Sequence, residues 1–139
     1  VPADHPDSNL KLIRETINPQ HLHYFDTSLP IDKALAKYAQ ELPESLNLCL
    51  LGIGDDGHTA SLFPDQNPQG KTALTQTSQF SINDRLTLTF PQILNSKNIL
   101  ILLKNKPQVL QELKHPTLST EKFPAHRLNT EKTTIIYGT

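Results

Sequence analysis

The sequence predicts one α/β domain over residues 1–139, built on an open, largely parallel sheet with helices on both faces. Three observations carry this. Two near-continuous apolar runs, "LNLCLLGI" at residues 46–53 and "NILILL" at 98–103, read as strands buried on both faces. Helical and strand-like patterns alternate along the chain, as in α/β layer folds. No internal repeat, low-complexity tract or linker interrupts the 139 residues, a length that suits one modest core.

The elements follow in order. Residues 8–18 place Leu10, Ile13 and Ile17 at helical spacing, with Ser8 or Asp7 as the N-cap and Pro19 as the stop. Residues 22–25 are a short apolar patch and a strand candidate. Residues 28–42 read as a second helix. Pro30 falls in its first turn, Ile31, Leu35, Tyr38 and Leu42 line one face, and Pro43 closes it. The strand at 46–53 comes next, then a loop rich in glycine. Residues 65–70, rich in Pro, Asn, Gln and Gly, form the expected exposed loop. Residues 71–77 are a further strand candidate. "RLTLTF" at 85–90 alternates with period two, which marks a strand. After the run at 98–103, residues 107–113 suggest a short helix that starts on proline. "TTIIYG" at 133–138 is a terminal strand.

Composition narrows the function classes. The chain is 36% hydrophobic and 19% charged, with net charge −1, as expected of a soluble globular domain. It lacks the basic footprint of a nucleic-acid binder. No apolar run approaches the roughly 20 residues that span a bilayer. The start, "VPADHPDSN", is polar and Pro-rich, unlike a signal peptide. The single cysteine, Cys49, lies in an apolar run and reads as a packed strand residue. With no intrachain disulfide to form, the chain suits a reducing compartment, and a cytoplasmic location is expected. The arginines are Arg14, Arg85 and Arg127, so an anion site must recruit a few local cations. The chain has no methionine and begins at Val1, which reads as part of a longer protein.

The stretch "GIGDDGHTASLFP", at residues 52–64, leaves the carboxyl end of a predicted parallel strand. Ligands bind at such ends in open α/β sheets. Its first six letters fit G-x-G-x-x-G, a dinucleotide phosphate loop. The context argues against that: Asp55 and Asp56 would face the phosphate, Pro64 comes within two turns, and no acid lies near position 77. A metal reading needs Asp55, Asp56 and His58 to converge, which adjacent turn residues rarely do. A bland reading makes Asp56 a turn residue and His58 a surface residue at a helix start. A chemical reading pairs them, with His58 as a base near neutral pH and Asp56 fixing its tautomer.

The same stretch strongly resembles the signature of the 6-phosphogluconolactonase family. "VPADHPDSNLKLIRETI", "RLTLTFPQILNSKNILILL" and "FPAHRLNTEKTTIIYG" resemble further family segments in the same order, over nearly the whole chain. The fold implied is the Rossmann variant shared by sugar-phosphate isomerases, glucosamine-6-phosphate deaminases and CoA transferases. The reaction implied is hydrolysis of 6-phospho-D-glucono-1,5-lactone to 6-phosphogluconate in the pentose phosphate pathway, with no metal or organic cofactor. The partner implied is a phosphorylated sugar lactone. The deaminase branch has a similar loop, D-G-H-I-A-F-N-E-P, with a glutamate before the proline. Here that residue is Phe63, which favours the lactonase.

By this resemblance His58 is the general base and Asp56 its orienting partner. Gly52, Gly54 and Gly57 shape the turn, with Gly54 and Gly57 presenting backbone N–H groups to substrate. Thr59 and Ser61 are donors there or helix-start residues. Lys106, with Lys104 as the alternative, meets the phosphate. Arg85 binds phosphate, braces the loop or stands as a solvated charge. His126 and Arg127 lie near the site or serve the fold, and His5, His21, His23 and His115 are surface residues. The family's glycine- and serine-rich phosphate loop and its D-E-R segment have no counterpart in these residues. The chain is therefore expected to be the C-terminal part of a lactonase, inactive or nearly so alone, with a sheet edge open to self-association. A non-catalytic sugar-phosphate-binding or assembly fragment, or a deaminase-like isomerase, is the alternative.

Overall fold

Ser8 stops the chain from fraying where the first helix begins: its hydroxyl accepts from the Lys11 backbone N–H at 3.3 Å. A computed structural model describes residues 1–139. Helix α1 covers Asn9–Thr16, and α2 covers Ile31–Glu41 with Pro30 at its N-cap. Together they lie in a first compact unit, Val1–Leu42. The apolar patch at 22–25 forms no strand, contrary to the sequence reading. No ladder partner is at hand, and Phe25 instead packs on Tyr38 of α2 with ring centroids 4.4 Å apart. His23 meets Glu41 at 2.9 Å on the exposed surface.

The second unit, Pro43–Thr139, holds the sheet. Strand β1 is Cys49–Gly52, β2 is Thr72–Gln76, β3 is Asp84–Leu88, β4 is Ile99–Lys104 and β5 is Thr133–Gly138. Strands β1, β4 and β5 form a parallel sheet in that order, with β4 in the centre. Strands β2 and β3 pair separately as an antiparallel hairpin. Helix α3 spans Phe90–Leu94, α4 spans Pro107–Lys114, and Pro124–Leu128 is a 3-10 turn. The fold is α/β with a mostly parallel sheet, as the alternation of patterns predicts.

Two expectations change. Strand β3 ends at Leu88, so "TF" is not strand: Thr89 caps α3 and Pro91 sits in its first turn, where a missing N–H costs nothing. The apolar runs are also not buried on both faces. In β1 and β4 burial alternates, because side chains of a strand point to opposite faces. Cys49, Leu51, Ile99, Ile101 and Leu103 join Phe90, Ile93, Val109, Leu113 and Phe123 in the core. Leu50, Leu102 and Ile136 share the opposite face and stay 58%, 44% and 51% exposed. The elements of this unit fill one face of the sheet, and the apolar run alone does not reveal that. Cys49 is buried as expected, and burial pushes its thiol up from the ordinary value.

The alternation makes a testable contrast. Ile101 stands opposite Leu51 and Ile135 across both ladders and is 1% exposed. Ile101→Ala should cost about 2–5 kcal/mol through lost burial and a cavity. Leu102→Ala, on the bare face, should stay within about 0.5 kcal/mol. Urea titration of both variants checks this, and equal losses would show that the bare face is covered in solution.

Candidate active site

Strand β1 delivers the chain into a turn that folds back on itself. The Gly54 N–H donates to the His58 carbonyl at 2.8 Å, and the Gly57 N–H donates to the Gly54 carbonyl at 3.0 Å. Gly57 has φ +78°, the left-handed region where a Cβ is strained. The chain then returns beside β1, with Ile53 bridging Thr59 and Thr59 bridging Leu62. No helix follows Gly57. The turn therefore lacks the helix N-terminus that a dinucleotide loop offers a pyrophosphate. Thr59 and Ser61 are not helix-start residues either. Thr59 is fully buried and its hydroxyl donates to the Gly52 carbonyl at 3.0 Å, so it ties the turn to the end of β1. Ser61 is tied to the hairpin: its N–H donates to the Thr87 hydroxyl at 3.1 Å, and its carbonyl accepts from Thr75 at 2.6 Å.

Asp56 and His58 are brought together. Asp56 Oδ1 accepts from the His58 backbone N–H at 3.0 Å and lies 2.6 Å from His58 Nδ1. A carboxylate only accepts, so the Nδ1 proton points at Asp56 and Nε2 is left as the basic nitrogen of the neutral ring. The second oxygen, Oδ2, accepts from Gln79 Nε2 at 2.8 Å. Burial pushes the Asp56 carboxyl up, but the hydrogen bonds from Gln79 and from the His58 backbone and ring outweigh it, and the group stays ionised below the ordinary range. Two aromatic rings flank the imidazole: Phe63 at 5.0 Å and Phe80, edge-on, at 6.0 Å between centroids.

Two cations stand at the turn. Lys106, at the N-cap of α4, reaches back to the Ile53 carbonyl at 2.9 Å and to Asp55 at 3.0 Å. Arg85 on β3 lays its guanidinium over Phe80, 4.9 Å from the ring centroid, and its buried Nε has no hydrogen-bond partner. Asp55 thus turns to Lys106 while Asp56 turns to His58, so the two carboxylates do not converge on one centre.

Beneath the turn lies Phe123. A Cβ on Gly57 would run into its ring, and one on Gly54 would run into the His58 ring. The Ala125 N–H donates to the Gly57 carbonyl at 2.9 Å. His126, stacked on Phe123 at 4.7 Å, donates from Nε2 to Glu112 at 2.9 Å. Arg127 reaches Glu121 at 3.6 Å. The "PAHR" segment therefore supports the turn from below. A cavity of about 250 Å³ opens between turn and support, lined by Asp55, Asp56, Gln108, Glu112, Lys122 and Phe123, among others.

Sequence reading missed Gln79, Phe80, Phe123 and Glu112. Their link to the turn comes only from hairpin pairing and helix docking, which leave no local pattern. Glu112 has a measurable signature. Hydrogen bonds from the Thr117 hydroxyl and from the Leu118 and Thr117 N–H groups, with a further one from His126, hold its carboxyl at about 2. A lowered carboxylate stabilises the fold above its ordinary value of 4.5, and this stability is lost as pH falls toward 2. Glu112→Gln should lower stability at neutral pH and flatten the acid decline between these limits. Chemical unfolding across that range checks it, and an unchanged acid limb would contradict the assignment.

Comparison with known proteins agrees with this geometry. Residues 1–137 match the family model described as glucosamine-6-phosphate isomerases/6-phosphogluconolactonase. The 6-phosphogluconolactonase of Thermotoga maritima is 35% identical over 120 residues, covering 78% of this chain and 54% of that protein. The probable 6-phosphogluconolactonase of Dictyostelium discoideum is 30% identical over 138 residues, covering 89% and 58%. The chain thus spans little more than half the length of these relatives. The crystal structure of the Thermotoga maritima protein superposes with a TM-score of 0.85 at 32% identity, over 99% of this chain and 67% of that one. A monomeric glucosamine-6-phosphate deaminase shares the fold, with a TM-score of 0.83 at 21% identity. The turn, its flanking strands and its supporting segment all fall within the matched residues, and the chain belongs to the glucosamine-6-phosphate isomerase/6-phosphogluconolactonase family.

Proposed function

We propose that this chain carries the catalytic turn of a 6-phosphogluconolactonase, with His58 as general base. The observation that supports this most directly is the 2.6 Å contact between Asp56 and His58 Nδ1, which leaves Nε2 to take a proton. In this reading a water attacks the lactone carbonyl carbon while His58 Nε2 accepts its proton. The carbonyl π bond opens to a tetrahedral oxyanion. When the carbonyl re-forms, the bond from C1 to the ring oxygen breaks, and His58 returns the proton to that oxygen as it leaves. The immediate products are the carboxylic acid and the free hydroxyl of 6-phosphogluconate, and the acid then gives its remaining proton to water to become the carboxylate. Asp56 stabilises the imidazolium between the two transfers. In this reading Gly54 and Gly57 bring the turn's backbone close to the substrate. Each donates its N–H within the turn.

Arg85 and Lys106 supply the positive charge for the phosphate. Lys106 reaches it by giving up Asp55, an ion partner whose side chain is 88% exposed and so holds it weakly. Phe63 supports the lactonase over the isomerase. It packs its ring against His58 at the position where the deaminase-like loop has a glutamate.

His58→Ala, in the protein that contains this segment, should lose about 10²–10⁴-fold in lactone hydrolysis above the spontaneous rate. A pH-stat assay with circular dichroism as a fold control reads this, and normal turnover would reject His58 as base. The same full-length protein decides the alternative. Binding of 6-phosphogluconate by calorimetry without turnover of the lactone favours a non-catalytic binding fragment.

The edges of the sheet support a further reading, that the chain pairs with a second copy. Strands β1 and β5 each have a ladder partner on one side only, and such edges pair readily. Sedimentation equilibrium over a range of concentrations should then find a dimer. A monomer throughout that range would reject it.

A further inference from the structure

The loop that joins β2 to β3 is fixed at its base and touches both members of the catalytic pair. Thr77 donates its N–H to the Asn83 carbonyl at 3.0 Å, closing the loop just beyond the ladder. Gln66 clamps the neighbouring Gln76 from outside, donating to its carbonyl at 2.6 Å and accepting from its N–H at 3.3 Å. Gln76 in turn donates to Asp84 across the hairpin at 2.9 Å. From this base Gln79 reaches Asp56 Oδ2, and the next residue, Phe80, stands edge-on to His58. Arg85 covers the Phe80 ring, and Phe63 lies 6.3 Å from it on the same side.

We propose that Gln79 is a positioning residue: it locks the Asp56 carboxylate so that His58 is held in one orientation and one tautomer, with the Phe80 ring against the imidazole edge. The proposal rests on the reading of His58 as the base. Its physical ground is the accounting at Asp56. Oδ1 faces two donors, both from His58, and with those bonds alone the carboxylate could still twist about its last side-chain bond. A third donor on Oδ2, from an element 23 residues away in sequence, removes that freedom. Without it Oδ2 would bond to water, and the imidazole would lose a fixed partner. Partners that orient a metal-ligating histidine from behind are worth about 10–100-fold, and a partner that orients a basic histidine acts in the same way.

The test uses Gln79→Met, which keeps length and removes the donor. Gln79 is exposed, so the change leaves the core intact. In the unaltered chain the His58 Nδ1 proton should give a downfield proton resonance that exchanges slowly with water. In Gln79→Met it should broaden or vanish, while Ser78→Ala, one residue away and off the pair, leaves it unchanged. In the protein that turns over the lactone, Gln79→Met should lower kcat about tenfold with KM held, the pattern of a lost transition-state interaction. A second measurement needs no change at Gln79: its side-chain amide resonances should move in Asp56→Asn. An unaltered Nδ1 resonance in Gln79→Met, or unmoved amide resonances in Asp56→Asn, would overturn the proposal. Both are read without substrate. Loss of the resonance alongside absent turnover in the parent would instead sink the lactonase reading and leave the positioning role standing.

Discussion

The ring of Phe123 lies where a Cβ on Gly57 would be, and Gly57 holds a left-handed φ. That contact fixes the turn from below, and the rest of the site is arranged around it. The Ala125 N–H reaches the Gly57 carbonyl from the same 3-10 turn. His126 stacks on Phe123 and ends on Glu112, which also gathers the Thr117 and Leu118 N–H groups. One carboxylate in α4 therefore joins three segments of chain to the floor of the turn. The price of the arrangement is a buried His126 Nδ1 with no partner, which the pairing at Nε2 has to outweigh.

Above that floor, charges are sorted by which element each carboxylate faces. Asp56 is held by donors and its partner is a histidine. Asp55, next to it, turns outward to Lys106. The parallel register brings this about. Gly52 of β1 stands opposite Leu102 of β4, so the chain leaves both strands at one end of the sheet. Lys106 starts α4 two residues beyond β4 and meets the Ile53 carbonyl just past β1. A cation set by the sheet and an imidazole set by the turn thus come to one end of the sheet without any pattern in the chain between them.

That distinction explains what could be read from the sequence. The five strands, α1, α2 and α4 were legible because their apolar runs and periodicities are local, whereas the patch at 22–25 was too short to tell strand from loop. The pair Asp56–His58 was legible because two residues in one tight turn meet whatever the rest of the fold does. The apolar run at β1 misled, since composition cannot say which face of a strand finds cover. Thr59 was expected as a donor or at a helix start; no helix starts there, and the bridge back to Ile53 buries its hydroxyl against Gly52. Gln79 and Phe80 were invisible because nothing in "TSQFSIND" specifies that its hairpin will lean on the turn.

The glycine spacing shows how one sequence pattern can arise from different steric demands. In a dinucleotide loop the glycines admit a phosphate and a close helix. Here Gly54 is bare because the His58 ring and Asp56 carboxylate occupy the space of its Cβ, and Gly57 is bare because Phe123 does. Both glycines are required by side chains of the protein itself. The pattern therefore reports how closely a backbone is approached, and the identity of the neighbour decides the chemistry. In this turn the neighbours are an imidazole, its carboxylate and the ring that supports them. The tight turn serves to hold the imidazole and its carboxylate in one place.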